Sequence, residues 1–192
     1  MSEIEQVRLN MGGFEVNAYV VHAPEGDLIV DAGAEPEKIL DRVRKPVAAI
    51  LVTHGHRDHV GALEAVRRET EAPVYAHPAD AEDAGIIDYG PLGDGEDLVM
   101  AGETFHVLHT PGHSPGSVTF VLGRDQIVGD LILPGSVGRT DISGASWEEI
   151  EVSLRKVMPF WKGTTRLFAG HGSVLYAMEE LKTNPYLPLG VV

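Results

Sequence analysis

From Thr53 to His59 the chain reads Thr-His-Gly-His-Arg-Asp-His, which places three imidazoles and a carboxylate between His54 and His59. These side chains bind divalent transition metals, and their chemistry suits zinc, manganese or iron. An isolated histidine is ordinary on a surface or in a core. Four ligand-type residues at this spacing, in a chain with only nine histidines, point instead to a metal site. The sequence has no cysteine, so neither a thiolate zinc site nor a disulfide framework is available, and a metal must be held by imidazole and carboxylate.

Such ligands need a scaffold that delivers them together. Alternate residues of a strand share a face, so His54 and His56 can leave a strand end on the same side. The run Ala48 to Val52 reads as a buried strand, and Val60, Leu63 and Val66 recur at helical spacing in a helix from about His59 to Glu69. The cluster therefore sits at a strand-to-helix junction, where layered α/β proteins gather ligand-binding groups. Upstream, strands are expected at Ile4 to Leu9, Phe14 to His22 and Asp27 to Val30, then a helix over Pro36 to Val43. Downstream, a short strand at Val74 to Ala76 leads to a polar, glycine-rich loop over Gly85 to Gly95. Strands resume at Asp97 to Met100, Thr104 to His109, Ser117 to Leu122 and Gln126 to Val128. Ser146 and Glu149 form a capping-box pattern that opens a helix with Ile150, Leu154 and Val157 as its apolar stripe. A strand at Arg166 to Ala169 follows. Strand runs interleaved with helices suggest two sheets covered outside by helices.

Three more ligand-type residues share one context, a strand followed by a glycine-rich turn. His113 lies in Thr110-Pro111-Gly112-His113-Ser114-Pro115-Gly116, Asp130 ends Ile127-Val128-Gly129-Asp130, and His171 follows Phe168-Ala169-Gly170. Glycine lets the backbone turn sharply and approach a site closely. With the cluster, these make five histidines and two aspartates, enough for two metals sharing a carboxylate. His106 and His109 alternate with apolar residues in a strand and His22 ends another, so all three read as structural. His77, before Pro78, reads as a loop residue outside the site.

In this order, His54-x-His56-x-Asp58-His59, His113, Asp130 and His171 resemble the metal motifs of the metallo-β-lactamase superfamily, over most of the chain. The resemblance implies an α/β fold, a four-layer αβ/βα sandwich, with residues 1–192 as a single domain and the site at one edge between the sheets. It implies two divalent ions, zinc first, with iron or manganese as alternatives. One would lie on His54, His56 and His113, the other on Asp58, His59 and His171, with Asp130 bridging them. Asp31, in Val30-Asp31-Ala32-Gly33, matches an acidic position beneath the ligands that orients a histidine.

A bound metal lowers the pKa of its water from ~15.7 to about 7, and a second can polarise a carbonyl. The expected reaction is hydrolysis of a carboxylic derivative by a metal-bridging hydroxide, with Asp58 as the catalytic residue that holds it. Pro111 to Ser117, and Gly129 to Leu133 running into Gly135 to Asp141, resemble short single-domain relatives of glyoxalase II. That likeness implies an acyl-thiol substrate such as S-D-lactoylglutathione. Glyoxalase II adds a C-terminal helical domain with basic glutathione contacts, whereas only residues 172–192 follow His171, so that domain is not expected. Where glyoxalase II carries a lysine and an aromatic residue, this chain has Gly138-Arg139-Thr140. Arg139 is a candidate clamp for a substrate carboxylate, or else a salt-bridge partner of Asp141. The same segment resembles persulfide dioxygenases, which would use one iron on His54, His113 and Asp130. A metal-binding module without catalysis is a further alternative.

A net charge of −14, from 29 acidic and 15 basic residues, argues against nucleic acid or an anionic membrane as partner and leaves a small molecule. Met1 to Glu5 has no basic or apolar signal character, and no run approaches the ~20 apolar residues of a membrane span. A cytoplasmic location is the expectation. With 43% hydrophobic residues the chain can bury a substantial core.

Overall fold

A computed structural model describes residues 2–187, in which two six-stranded sheets stack face to face. The first contains β1 (Glu3–Met11), β2 (Phe14–Ala23), β3 (Gly26–Val30), β4 (Val47–Leu51), β5 (Val74–Ala76) and β6 (Tyr89–Pro91), paired in that order. Its first three strands run antiparallel, and β3 to β6 run parallel. The parallel part requires crossovers, supplied by α1 (Pro36–Leu40), α2 (Arg57–Val60), α3 (Leu63–Thr70) and α4 (Pro78–Asp83).

The second sheet is built from β7 (Asp97–Met100), β8 (Glu103–His109), β9 (Val118–Leu122) and β10 (Asp125–Gly129). A small ribbon follows, β11 (Ile132–Leu133) with β12 (Ser136–Val137), and then α5 (Trp147–Val157). The sheet is completed by β13 (Arg166–Ala169), parallel to β10, and β14 (Leu175–Tyr176), before α6 (Ala177–Thr183). Its strand order is β14-β13-β10-β9-β8-β7.

Side-chain alternation explains the layers. In β3, Leu28 and Val30 face the second sheet beside Phe105, Phe120 and Phe168, while Ile29 between them faces the helices. Ile39, Leu63, Val66 and Ala81 of the outer helices close over Ile29, Ile50 and Val74. On the far side Ile150, Leu154 and Val157 of α5 cover Leu108, Val121 and Leu167. The order is helix, sheet, sheet, helix, the expected αβ/βα sandwich.

Three local expectations are corrected. The helix expected from about His59 to Glu69 is two helices, beginning at Arg57 and broken at Gly61 and Ala62. The break has a tertiary cause: Ala62 N–H donates to the Ala32 carbonyl and Ala32 N–H to the His59 carbonyl, both at 2.8 Å. A Cβ on Gly61 would stand 2.7 Å from the Gly33 carbonyl oxygen, so only glycine allows this approach. The helix expected over Pro36 to Val43 stops at Leu40, where Arg42 and Val43 donate to Ile39 and Leu40 in tighter turns. Within the loop expected over Gly85 to Gly95, Tyr89–Pro91 forms β6, a strand held by pairing with β5 despite the glycine and proline in its sequence. Among the described residues no helix is long and apolar enough to cross a membrane.

Candidate metal centre

Four chain reversals at one edge of the sandwich deliver the seven candidate ligands. The turn after β4 carries His54 and His56, and α2 carries Asp58 and His59. From the second sheet come His113 after β8, Asp130 after β10 and His171 after β13. Nitrogen and oxygen atoms of His54, His56 and His113 lie within 4.8 Å of one another, as do those of Asp58, His59 and His171, and those of His54, His59 and Asp130. His56 Nδ1 and His113 Nε2 are 2.9 Å apart. Asp130 stands between the groups, with Oδ2 3.4 Å from both His113 Nε2 and His171 Nε2, and Oδ1 3.6 Å from His59 Nε2. Asp58 Oδ2 lies 3.3 Å from His171 Nε2. All seven residues expected at the site meet there.

Four of the five imidazoles are aimed by their other nitrogen. His59 Nδ1–H donates to Asp31 Oδ2 at 2.7 Å, His113 Nδ1–H to the Arg139 carbonyl at 3.0 Å, and His171 Nδ1–H to the Glu15 carbonyl at 2.6 Å. The Thr53 hydroxyl donates to Asp31 Oδ2 at 2.7 Å, so its oxygen accepts from His54 Nδ1–H at 3.1 Å. Asp31 thus contacts His59 directly and reaches His54 through Thr53. Its backbone is left-handed, with φ at 59°, a conformation aspartate tolerates better than most residues. In these four rings Nε2 is left for the site, whereas His56 presents Nδ1.

The donors fit a cation. His54 Nε2, His59 Nε2 and Asp130 Oδ1 are buried without a hydrogen-bond partner among the described residues. An unpaired buried polar atom costs about 1–3 kcal/mol, so three converging ones demand a ligand that satisfies all of them, as a divalent ion does. Glycines keep the space open: a Cβ on Gly170 would collide with Asp130 Oδ1 and stand 2.6 Å from His59 Cε1. The cluster has the form of a two-metal site.

Proton affinities follow from burial and charge. Burial, reinforced by the neighbouring imidazoles, pushes His54 well down, and His56 is lowered the same way. Burial would also lower His59, but the Asp31 carboxylate together with Asp130 and Asp58 outweighs it and raises the ring. The Asp130 and Asp58 carboxylates pull His171 up to about 10. Burial opposes ionisation of Asp58, yet hydrogen bonding to His171 and the charge of His59 hold it at about 2.

Above the cluster opens a cleft of about 490 Å³ lined by Phe14, His56, Arg57, Asp58, His113, Asp130, Leu133, Arg139, Ile142 and His171. Arg139 reaches its rim, but its guanidinium is taken by Asp141, Nε to Oδ1 at 2.9 Å and Nη2 to Oδ2 at 3.2 Å. The salt-bridge alternative is therefore the arrangement seen.

Two positions escape sequence reasoning. Thr53 is one. Asp80, buried in α4, is the other: it accepts from Gly55 N–H at 2.8 Å, Ser114 Oγ–H at 2.5 Å and Gly116 N–H at 2.5 Å. It thereby ties the turn of His54 and His56 to the turn of His113. The remaining histidines stay outside the cluster. His22 contacts Asp27 and Glu5, His106 contacts Asp97, and His77 caps α4 while stacking on His109 with ring centroids 4.2 Å apart.

The family model described as "Metallo-beta-lactamase superfamily" matches residues 11–171. The chain is 33% identical to the probable metallo-hydrolase YqgX of Bacillus subtilis, over 94% of this chain and 96% of that protein. It is 30% identical to the hydroxyacylglutathione hydrolase GloC of Haemophilus influenzae, over 83% and 86%. Among solved structures, BLEG-1 B3 metallo-beta-lactamase is 30% identical, with a TM-score of 0.85 over 98% of this chain and 100% of that one. TTHA1623 in a di-iron-bound form is 36% identical, with a TM-score of 0.81 over 94% and 99%. Ligand positions, two-sheet architecture and these likenesses agree, and the chain belongs to the metallo-β-lactamase superfamily.

Proposed function

We propose that the protein is a two-metal hydrolase of acyl-thioesters. The observation that carries this reading is the pair of ligand triads, joined by Asp130, at the floor of an open cleft. His54, His56 and His113 would hold one ion, Asp58, His59 and His171 the other, and Asp130 both. Bound divalent cations supply Lewis acidity toward a carbonyl oxygen and bring the pKa of a bound water down to about 7. Asp58, half-buried and ionised, faces the cleft and can accept a hydrogen bond from the attacking water. The water oxygen bonds to the acyl carbon, the C–S bond breaks, and the water's proton passes to sulfur. Leu133, Ile142 and Phe14 supply apolar surface for the acyl or thiol chain.

The thioester is supported by the likeness to GloC, whose name specifies hydroxyacylglutathione hydrolysis. Zinc is the proposed ion, because it has no redox chemistry and accepts three protein ligands with one open position. The di-iron form of TTHA1623 makes iron the competing occupant. The test is metal analysis of protein purified without added metal, alongside hydrolysis of S-D-lactoylglutathione. Two ions per chain are expected, and Asp58→Asn should reduce kcat at least a hundredfold and weaken the ion on Asp58, His59 and His171 while the ion on His54, His56 and His113 is retained. One iron per chain with oxygen uptake on glutathione persulfide would replace the hydrolase reading with the dioxygenase one.

A further inference from the structure

We propose that Arg57 selects a substrate bearing a carboxylate or phosphate beyond the scissile bond, an assignment that deepens the thioester-hydrolase reading and rests on it. Two guanidiniums line the cleft. Arg139 is engaged elsewhere, since the Nε–Nη2 edge of its guanidinium meets Asp141 and its carbonyl accepts from His113. Arg57, the first residue of α2, lies between His56 and Asp58, is exposed, and is assigned no ion pair or side-chain hydrogen bond to any described residue.

Its setting gives that free cation meaning. The chain carries a net charge of −14, which disfavours anions at long range, so an anion must be recognised locally. A guanidinium at the mouth of a metal-charged site does this, and its planar donors match a carboxylate or phosphate in bidentate geometry. The same cleft exposes Phe14, at 51%, together with Leu133 and Ile142. A cation beside an apolar strip fits an amphiphilic acyl-thiol: the chain lies on Phe14 and the anionic end reaches Arg57.

The test uses metal-loaded protein and three thioethers that resist hydrolysis: S-hexylglutathione, carrying carboxylates, S-hexyl-coenzyme A, carrying phosphates, and uncharged S-hexyl-N-acetylcysteamine. By titration calorimetry, wild type should bind at least one anionic thioether about tenfold more tightly than the uncharged one, the anion preferred naming the source. Arg57→Gln should abolish that ratio while leaving affinity for the uncharged probe within about twofold, and Arg57→Lys should retain part of it. Partial metal loading cancels from a ratio measured on one sample. An equal ratio in wild type and Arg57→Gln, or no anion preference in wild type, overturns the assignment. Failure of the thioester reading appears separately, as no turnover of the matching thioesters.

Discussion

Asp130 has one oxygen 3.4 Å from a histidine of each triad and the other oxygen buried without a partner. A carboxylate so placed should serve both ions, so Asp130→Ala is expected to reduce metal content from two per chain to well below one. Retention of two ions on elemental analysis would remove the bridging role. His171 makes a different prediction. Its ring is held at about 10 by Asp130 and Asp58, so below that pH an ion must displace a proton to bind. Apparent metal affinity should therefore rise with pH, at least about tenfold per unit between pH 6.5 and 8.5, as measured by chelator competition. A flat profile would exclude His171 as a ligand. These ligands were legible in the sequence because four crowd into His54–His59 and each of the other three stands beside glycine after a strand. Asp80 was not, since its partners Gly55, Ser114 and Gly116 lie 25, 34 and 36 positions away and only folding brings them close.

Two turns of the scaffold depend on one short helix. Removing the α4 carboxylate in Asp80→Ala would leave Gly55 N–H, Gly116 N–H and the Ser114 hydroxyl without their acceptor. The expected cost is about 2–4 kcal/mol in urea unfolding, with selective weakening of the ion on His54, His56 and His113. A change under about 0.5 kcal/mol would mean that the turns hold without the clamp. Strands were readable here because alternation survives in short runs such as Leu28-Ile29-Val30, whose side chains divide between two cores. The α2–α3 break was not, because the apolar spacing of Val60, Leu63 and Val66 runs straight through it. What breaks the helix is the backbone of Ala32 and Gly33, remote in sequence. Likewise β6 exists through its pairing with β5, which no local pattern in Tyr89–Pro91 announces.

Across the whole molecule the ligands are divided by the gap between the sheets. His54, His56, Asp58 and His59 belong to the first half, and His113, Asp130 and His171 to the second. Each proposed ion draws on both. Backbone contacts close the same seam, Val118 N–H to the Thr53 carbonyl and Asn17 N–H to the Gly170 carbonyl, both at 2.8 Å. The layer order was predictable from strands interleaved with helices, but the meeting of seven side chains at one edge came from the family resemblance rather than from periodicity. Because the ions bind only the folded arrangement, chelation should lower the melting temperature by about 10 °C or more in a scanning experiment. A drop below about 3 °C would place the holding power in the cores alone.

That division has a consequence for the protein's lifetime. With no cysteine in the chain, the two proposed ions would be its cross-links, joining turns such as those of His56 and His113, 57 positions apart. Unlike disulfides they survive a reducing environment and yield to competition for metal. A cell starved of the ion is therefore expected to hold less of this protein, because the metal-free form would open more often and expose more of its chain to proteases.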